Sequence, residues 1–211
     1  MDARGRDEGD AGGKGAIVRR ELVEAAIRVL GAEGPDAVQA RRLTREIGAS
    51  TMAVYHWFGG MPTLLGAVSD EGFRRLDAAL GAVPLTDDPI ADIDRLARAY
   101  RLVARENPHL YDLMFGLAAP GGHRPDLAHG TREDTRSPAA DAYGHLVDAA
   151  RRAIAAGRLA PGEPTLVAAQ LWSQLHGYVA LELAGHFAHL TDPVTDVLTP
   201  MTANLLTGLG A

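Results

Sequence analysis

Apolar residues recur at three- and four-residue spacing along most of the chain, and no run alternates with period two. That pattern predicts an all-α protein of about nine helices. Ile17, Leu22, Ala26, Val29 and Leu30 form the first apolar face, which ends at Gly34-Pro35. Leu43 and Ile47 share one side of a short helix beginning near Ala40. Gly48 stands where that helix must stop, because glycine enters the left-handed backbone region without steric cost. Ser50 is placed to cap a second short helix, Thr51 to Phe58. This helix buries Val54 and Phe58 and turns Thr51, Met52, Tyr55 and His56 outward. Met61 to Leu80 then forms a long amphipathic helix on Leu64, Leu65, Val68, Phe73, Leu76 and Leu80.

Further along, one start signal repeats: a capping residue followed by proline at the first helical position. Asp88-Pro89 opens a helix to about Glu106, and Asn107-Pro108 a shorter one to about Leu117. Residues 118–136, rich in Gly, Pro and charge, read as a loop. Ser137-Pro138 opens a helix to about Ala156 that Gly157 stops. Pro164 opens one to about His189, and Asp192-Pro193 opens the last, with Pro200 set to kink or break it.

The stretch from Pro164 to His189 is apolar nearly all round, which marks a helix buried on several sides. Gln170, Gln174, His176 and Glu182 in its middle argue against a membrane span. Ser173, Gly177, Ala180 and Ala184 make a stripe of small residues that admits a partner helix, so this face is assigned to a homodimer interface. The larger stripe through Trp172, His176, Val179 and Leu183 is assigned to the subunit's own interior.

Composition narrows the function. The 211 residues carry a net charge of -6, which argues against a general nucleic-acid coat. Between 39 and 58, however, Arg41, Arg42 and Arg45 face only Glu46, a local basic patch suited to selective binding. Cysteine is absent and no apolar leader follows the first residue, so a cytoplasmic location is expected. Residues 1–16 are Gly-rich and charged and predict a disordered arm.

Residues 39–65 therefore read as helix, tight turn and second helix built to enter a DNA major groove. The span from Ile17 to Leu65 resembles the tetracycline-repressor (TetR) family of transcriptional regulators. An initial helix ends in A-E-G, then come R-R-L-T-R-E-I-G-A-S, V-Y-H-W-F and T-L-L. The resemblance implies an N-terminal three-helix helix-turn-helix DNA-binding domain over 17–62. It also implies a C-terminal helical ligand-binding and dimerisation domain over 63–211. N-P-H-L-Y-D-L-M-F-G at 107–116 and W-S-Q-L-H-G at 172–177 resemble the branch of that family named for its Trp, His and Gly. One position departs: where the family opens its fourth helix on a phosphate-contacting lysine, this chain has Met61 followed by Pro62.

By this reading Arg41, Arg42, Ser50, Thr51, Met52, Ala53, Tyr55 and His56 meet DNA. Tyr55 resembles the family's phosphate-binding tyrosine, and Thr51, Met52 and Ala53 lie where side chains reach base edges. Trp57 reads as a packing residue. Candidates for a ligand pocket are Phe73, Tyr100, Tyr111, Met114, Phe115, Trp172 and His176, each of which core packing also explains. His186 and His189 lack a third ligand, so no metal site is expected, and no cofactor or catalytic motif appears. The partners expected are a double-stranded DNA operator, an unknown small-molecule effector and a second copy of the chain, without membrane. A ligand-responsive regulator that represses until a small molecule releases it from a palindromic operator is one reading. A helical small-molecule-binding protein or enzyme using its N-terminal helices as an interaction module is the other, and an activator would use the same fold.

Overall fold

The computed structural model describes residues 7–117, 120 and 137–210, with side chains from Gly15 onward. Nine α-helices and no strand occur among the described residues: α1 Asp7–Glu33, α2 Ala40–Glu46, α3 Met52–Phe58, α4 Met61–Gly81, α5 Pro89–Glu106, α6 Pro108–Met114, α7 Pro138–Ala155, α8 Pro164–Leu183 and α9 Thr199–Gly208. The fold is all-α, as the spacing of apolar residues predicts.

The proline starts behave as local chemistry requires. The Asp88 carboxylate accepts from the amides of Ile90 and Ala91, and Ser137 Oγ from Ala140. Gly48 at φ 67 and Gly157 at φ 65 take the left-handed conformation that ends a helix.

Four boundaries differ from expectation. α1 begins at Asp7, ten residues ahead of Ile17, while residues 1–6 of the expected arm lie outside those described. A helix already nucleated on its Leu22–Leu30 face extends one hydrogen bond per residue, so Gly12, Gly13 and Gly15 do not stop it. α3 begins at Met52, and Ser50 is not its side-chain cap. Thr51 is already helical in φ and ψ, and the Ala53 amide donates to the Ser50 carbonyl at 2.9 Å instead. α8 ends at Leu183, six residues early, because Gly185 turns left-handed at φ 81 and the His186 amide closes back on Leu181. The irregularity at Pro200 takes the form of a π-helical turn over Val194–Leu198, where the Thr199 amide reaches Val194. The loop expected over 118–136 lies almost wholly outside the described residues.

Two compact units form, Met1–Gly72 with His109–Asp126, and Phe73–Pro108 with Leu127–Ala211. The boundary between them in this part of the chain falls inside α4, between Gly72 and Phe73. In the first unit Leu22, Ala26, Val29 and Leu30 of α1 are buried together with Leu43 of α2 and Val54 and Phe58 of α3. Gly72 lets α6 approach α4: a Cβ there would lie 2.5 Å from Met114 Sδ.

In the second unit α5 buries Ile93, Leu96, Ala97, Tyr100 and Ala104, and α8 buries Val167, Leu171, Leu175 and Val179. Between them α7 presents Ala142, Ala149, Ala150 and Ala153, small residues that let helices close without cavities. Two charge clusters fix this packing. Asp92, fully buried, accepts from the Thr86 amide at 3.0 Å, from Thr86 Oγ1 at 2.8 Å and from Arg152 at 2.7 Å, and it also pairs with Arg95. Glu182, in the last turn of α8, is met by Arg101 of α5 at 2.5 Å with both side chains 11% exposed. No helix among the described residues is long and apolar enough to cross a membrane.

Candidate DNA-reading face

A helix of two turns holds its direction only through what it packs against. α3 is fixed by Val54 and Phe58, 0% and 5% exposed, which leaves the opposite side of the helix to solvent. On that side Met52 is 67% exposed and Tyr55 53%, with Thr51 and His56 exposed beside them. Ser50, Met52, Ala53, Tyr55, His56 and Trp57 line a surface groove of about 480 Å³. The outward and inward faces are those predicted from the sequence. All of the expected base-reaching and phosphate-reaching positions on α3 are thereby brought to one surface.

The arginines of α2 are not equivalent. Arg41 and Arg45 are exposed and form no ion pair among the described residues. Arg42 is half-buried, held by Glu33 at 2.5 Å and by Glu46 at 2.8 Å, and Glu46 is also met by Arg28 at 2.9 Å. The hydrogen bonds that Arg42 donates to Glu33, then to Glu46, raise its guanidinium above its ordinary value. Its charge is therefore neutralised within the free protein, which a count of charges over 39–58 does not reveal. At the start of α4, Met61 is half-buried and the Leu64 amide donates to Gly60 at 3.3 Å.

Two contacts escaped the sequence reading. Arg19 of α1 lies over the Phe58 ring at 5.0 Å, and Gly15 of α1 lies against the Trp57 indole. The signal for the Gly15 contact was a helical α1 continuing upstream of Ile17, which its glycines obscured, whereas Arg19 lies within the helix that the sequence predicts.

The ligand-pocket candidates are divided between the two units. In the second unit Tyr100 Oη stands 3.5 Å from His176 Nδ1, and Trp172 lies 5.7 Å from the His176 ring. Tyr143 approaches Trp172 at 6.2 Å, ring to ring, and extends this group although the sequence did not single it out. Burial holds the His176 imidazole below its ordinary value, favouring the neutral ring, and raises the Tyr143 phenol. Phe73 is buried in the same unit. In the first unit Tyr111 and Phe115 pair at 4.8 Å, and Met114 rests on Gly72. Of the small-residue stripe, Ser173 and Ala184 are exposed and Gly177 and Ala180 half-buried. His186 and His189 are exposed, and no cluster of three metal-ligating side chains occurs among the described residues.

A short helix anchored on one side, exposed and polar-aromatic on the other, following a left-handed glycine turn, defines a helix-turn-helix DNA-binding protein. Comparison with known proteins agrees. Residues 22–68 match the profile of bacterial regulatory proteins of the tetR family, and residues 93–205 that of the tetracyclin repressor-like C-terminal domain. The chain belongs to the TetR family of transcriptional regulators. It is 28% identical over 199 residues to the uncharacterized HTH-type transcriptional regulator Rv0681 of Mycobacterium tuberculosis, covering 92% of this chain and 82% of that one. Among solved structures it is similar to a protein of unknown function from Rhodococcus sp. RHA1, with a TM-score of 0.74 and 27% identity over 92% of this chain and 96% of that one. It is also similar to the putative regulatory protein SCO4313, at a TM-score of 0.69 and 25% identity, over 92% and 97%.

Proposed function

We propose that a homodimer of this chain binds a palindromic operator and represses transcription until a small molecule held in the C-terminal domain releases it. The observation that carries this is the exposed Met52–Tyr55–His56 face on a helix locked from behind by Val54 and Phe58. Residues 17–62 read DNA in this scheme, and residues 63–211 supply the effector and dimer functions. Two copies of α3 meet half-sites roughly 34–36 Å apart. Thr51, Met52 and Ala53 reach base edges, while Arg41, Ser50, Tyr55 and His56 meet the phosphate backbone, with Arg42 joining only if it leaves its carboxylates.

For the dimer, Leu166, Ala169, Gln170, Ser173, Gln174 and Leu205 line a surface groove of about 680 Å³ on α8 and α9. Leu166 in that groove is 64% exposed and Leu181, further along α8, is 47% exposed, and Gln174 Nε2 is buried without a hydrogen-bond partner among the described residues. A second copy seated over this face, with Ser173, Gly177, Ala180 and Ala184, covers the leucines. For the effector, Tyr100, Trp172 and His176 give a neutral hydrogen-bonding ring inside an aromatic wall. Trp172, His176 and Gly177 also support placing the C-terminal domain in the branch of the family named for those residues. Release needs only that effector bind one of two states better. No catalytic step enters this reading, and the protein works in the cytoplasm.

Operator binding tests it. Purified protein is titrated against its own upstream DNA and against unrelated sequence; equal affinity for both rejects the proposal. Tyr55→Phe is expected to weaken binding on every sequence alike, whereas Met52→Ala shifts the preferred base. If the two variants change affinity in the same way, the division between phosphate and base contacts is wrong. Met61→Lys restores a cation at the start of α4 and is expected to tighten operator binding. It steepens the dependence of log K on log salt by about one unit per protomer. Titrations across a salt series measure this, and an unchanged slope refutes a phosphate at that position.

A further inference from the structure

We propose that Trp57 is a positioning residue for DNA binding: seated on Gly15 of α1, its indole holds the His56 ring in the orientation that meets the phosphate backbone. This rests on the reading of α3 as the DNA-contacting helix and names a second use for α1.

The contact is unusually close. Gly15 is buried, and a Cβ built on it would lie 2.3 Å from Trp57 Cη2 and 2.8 Å from Cζ3. No residue but glycine leaves the indole where it is. The indole also meets His56, with centroids 4.4 Å apart and planes at 83°, the edge-to-face arrangement aromatic rings prefer. Four residues along α1, on the same helix face as Gly15, Arg19 covers the Phe58 ring at 5.0 Å. The two contacts clamp the last turn of α3 from the α1 side, beyond the core contacts of Val54. Trp57 is still 36% exposed and forms part of the wall of the groove beside Met52, Tyr55 and His56. Here a rigid plate runs from α1 to the one imidazole on the reading face.

The placement also gives purpose to the extra length of α1. Had the helix begun at Ile17, the Gly15 seat under the indole would be missing.

Gly15→Ala separates positioning from packing. Alanine is the better helix former, so the thermal midpoint of the full-length protein is expected to hold or rise. The added methyl pushes the indole off its seat, and operator affinity is expected to fall about tenfold, the scale of one charge-assisted hydrogen bond. Trp57→Phe in the Gly15→Ala background removes the outer ring atoms that clash, and is expected to recover most of that loss. A cycle with His56→Ala supplies a second readout. Once His56 is gone, Gly15→Ala has nothing left to misplace, so the two losses are expected not to add. Unchanged operator affinity in Gly15→Ala overturns the proposal, as does full additivity with His56→Ala. Failure of the unsubstituted protein to prefer its operator would instead reject the DNA-binding assignment itself.

Discussion

Asp92→Ala is expected to destabilise the second unit by about 3–5 kcal/mol, the usual consequence of removing one partner from a buried charge cluster. For a chain of this size that lowers the thermal midpoint by roughly 6–20 °C. The reason is specific to what surrounds the carboxylate. Asp92 is fully buried and is the common acceptor for the Thr86 amide, the Thr86 hydroxyl, Arg152 and Arg95. Removing it leaves the Thr86 amide without its acceptor, takes the carboxylate from two arginines and ends the tie between the α4–α5 connection, α5 and α7. Burial alone would push this carboxyl up, but the Thr86 hydrogen bonds and the two arginines outweigh it and hold it far below the ordinary value of 3.8. A depressed folded-state value contributes stability that is complete above the unfolded value and declines as pH falls through the folded one. The gap between the unsubstituted protein and Asp92→Ala is therefore expected to stay constant from neutral pH down to about pH 5 and to narrow only in strong acid. Calorimetry across that range measures it. A gap that closes near neutral pH would mean that a different group titrates.

Arg101→Ala is the second large effect. Its guanidinium meets Glu182 through three hydrogen bonds of 2.5–3.1 Å in a setting where both side chains are 11% exposed. Glu182 is then left as a bare carboxylate against α5, which is expected to destabilise by about 3–5 kcal/mol. Arg101→Met combined with Glu182→Leu removes both charges and fills the space with apolar groups. It is expected to recover most of the loss or exceed the parent, since a buried pair is replaceable although neither half is dispensable alone. Urea denaturation of the two single variants and the double variant decides this. A double variant as unstable as the singles would show that the pair does more than neutralise itself.

Where the sequence predicted the structure well, the determinants were local. Asp88-Pro89 and Ser137-Pro138 start helices because the cap and the proline act within three residues. The outward and inward faces of α3 followed from spacing alone. Where it fell short, the determinants were distant or conformational. The apolar pattern of α8 runs on past Leu183, and the left-handed turn at Gly185 ends the helix anyway. Arg42 looks identical to Arg41 in the chain, yet one is held by Glu33, nine residues upstream, and by Glu46, while the other forms no ion pair among the described residues. Asp92 left a trace that went unread. It sits four residues before Leu96, in register with the apolar stripe of α5, where a charge must find partners. The seat of Trp57 on Gly15 left no trace, because a glycine under a ring and a glycine in a coil are the same letter.

The pairing of Arg42 with Glu33 and Glu46 bears on how the regulator competes for its target inside a genome. Attraction to random DNA comes from phosphate contacts and counterion release, and it titrates protein away from the operator across millions of decoy sites. An arginine occupied at home, on a chain of net charge -6, weakens that pull everywhere. In the proposed operator complex, matched base edges would give the same arginine time to exchange its carboxylates for phosphate. Occupancy then depends less on how much protein the cell makes and more on how well the site fits.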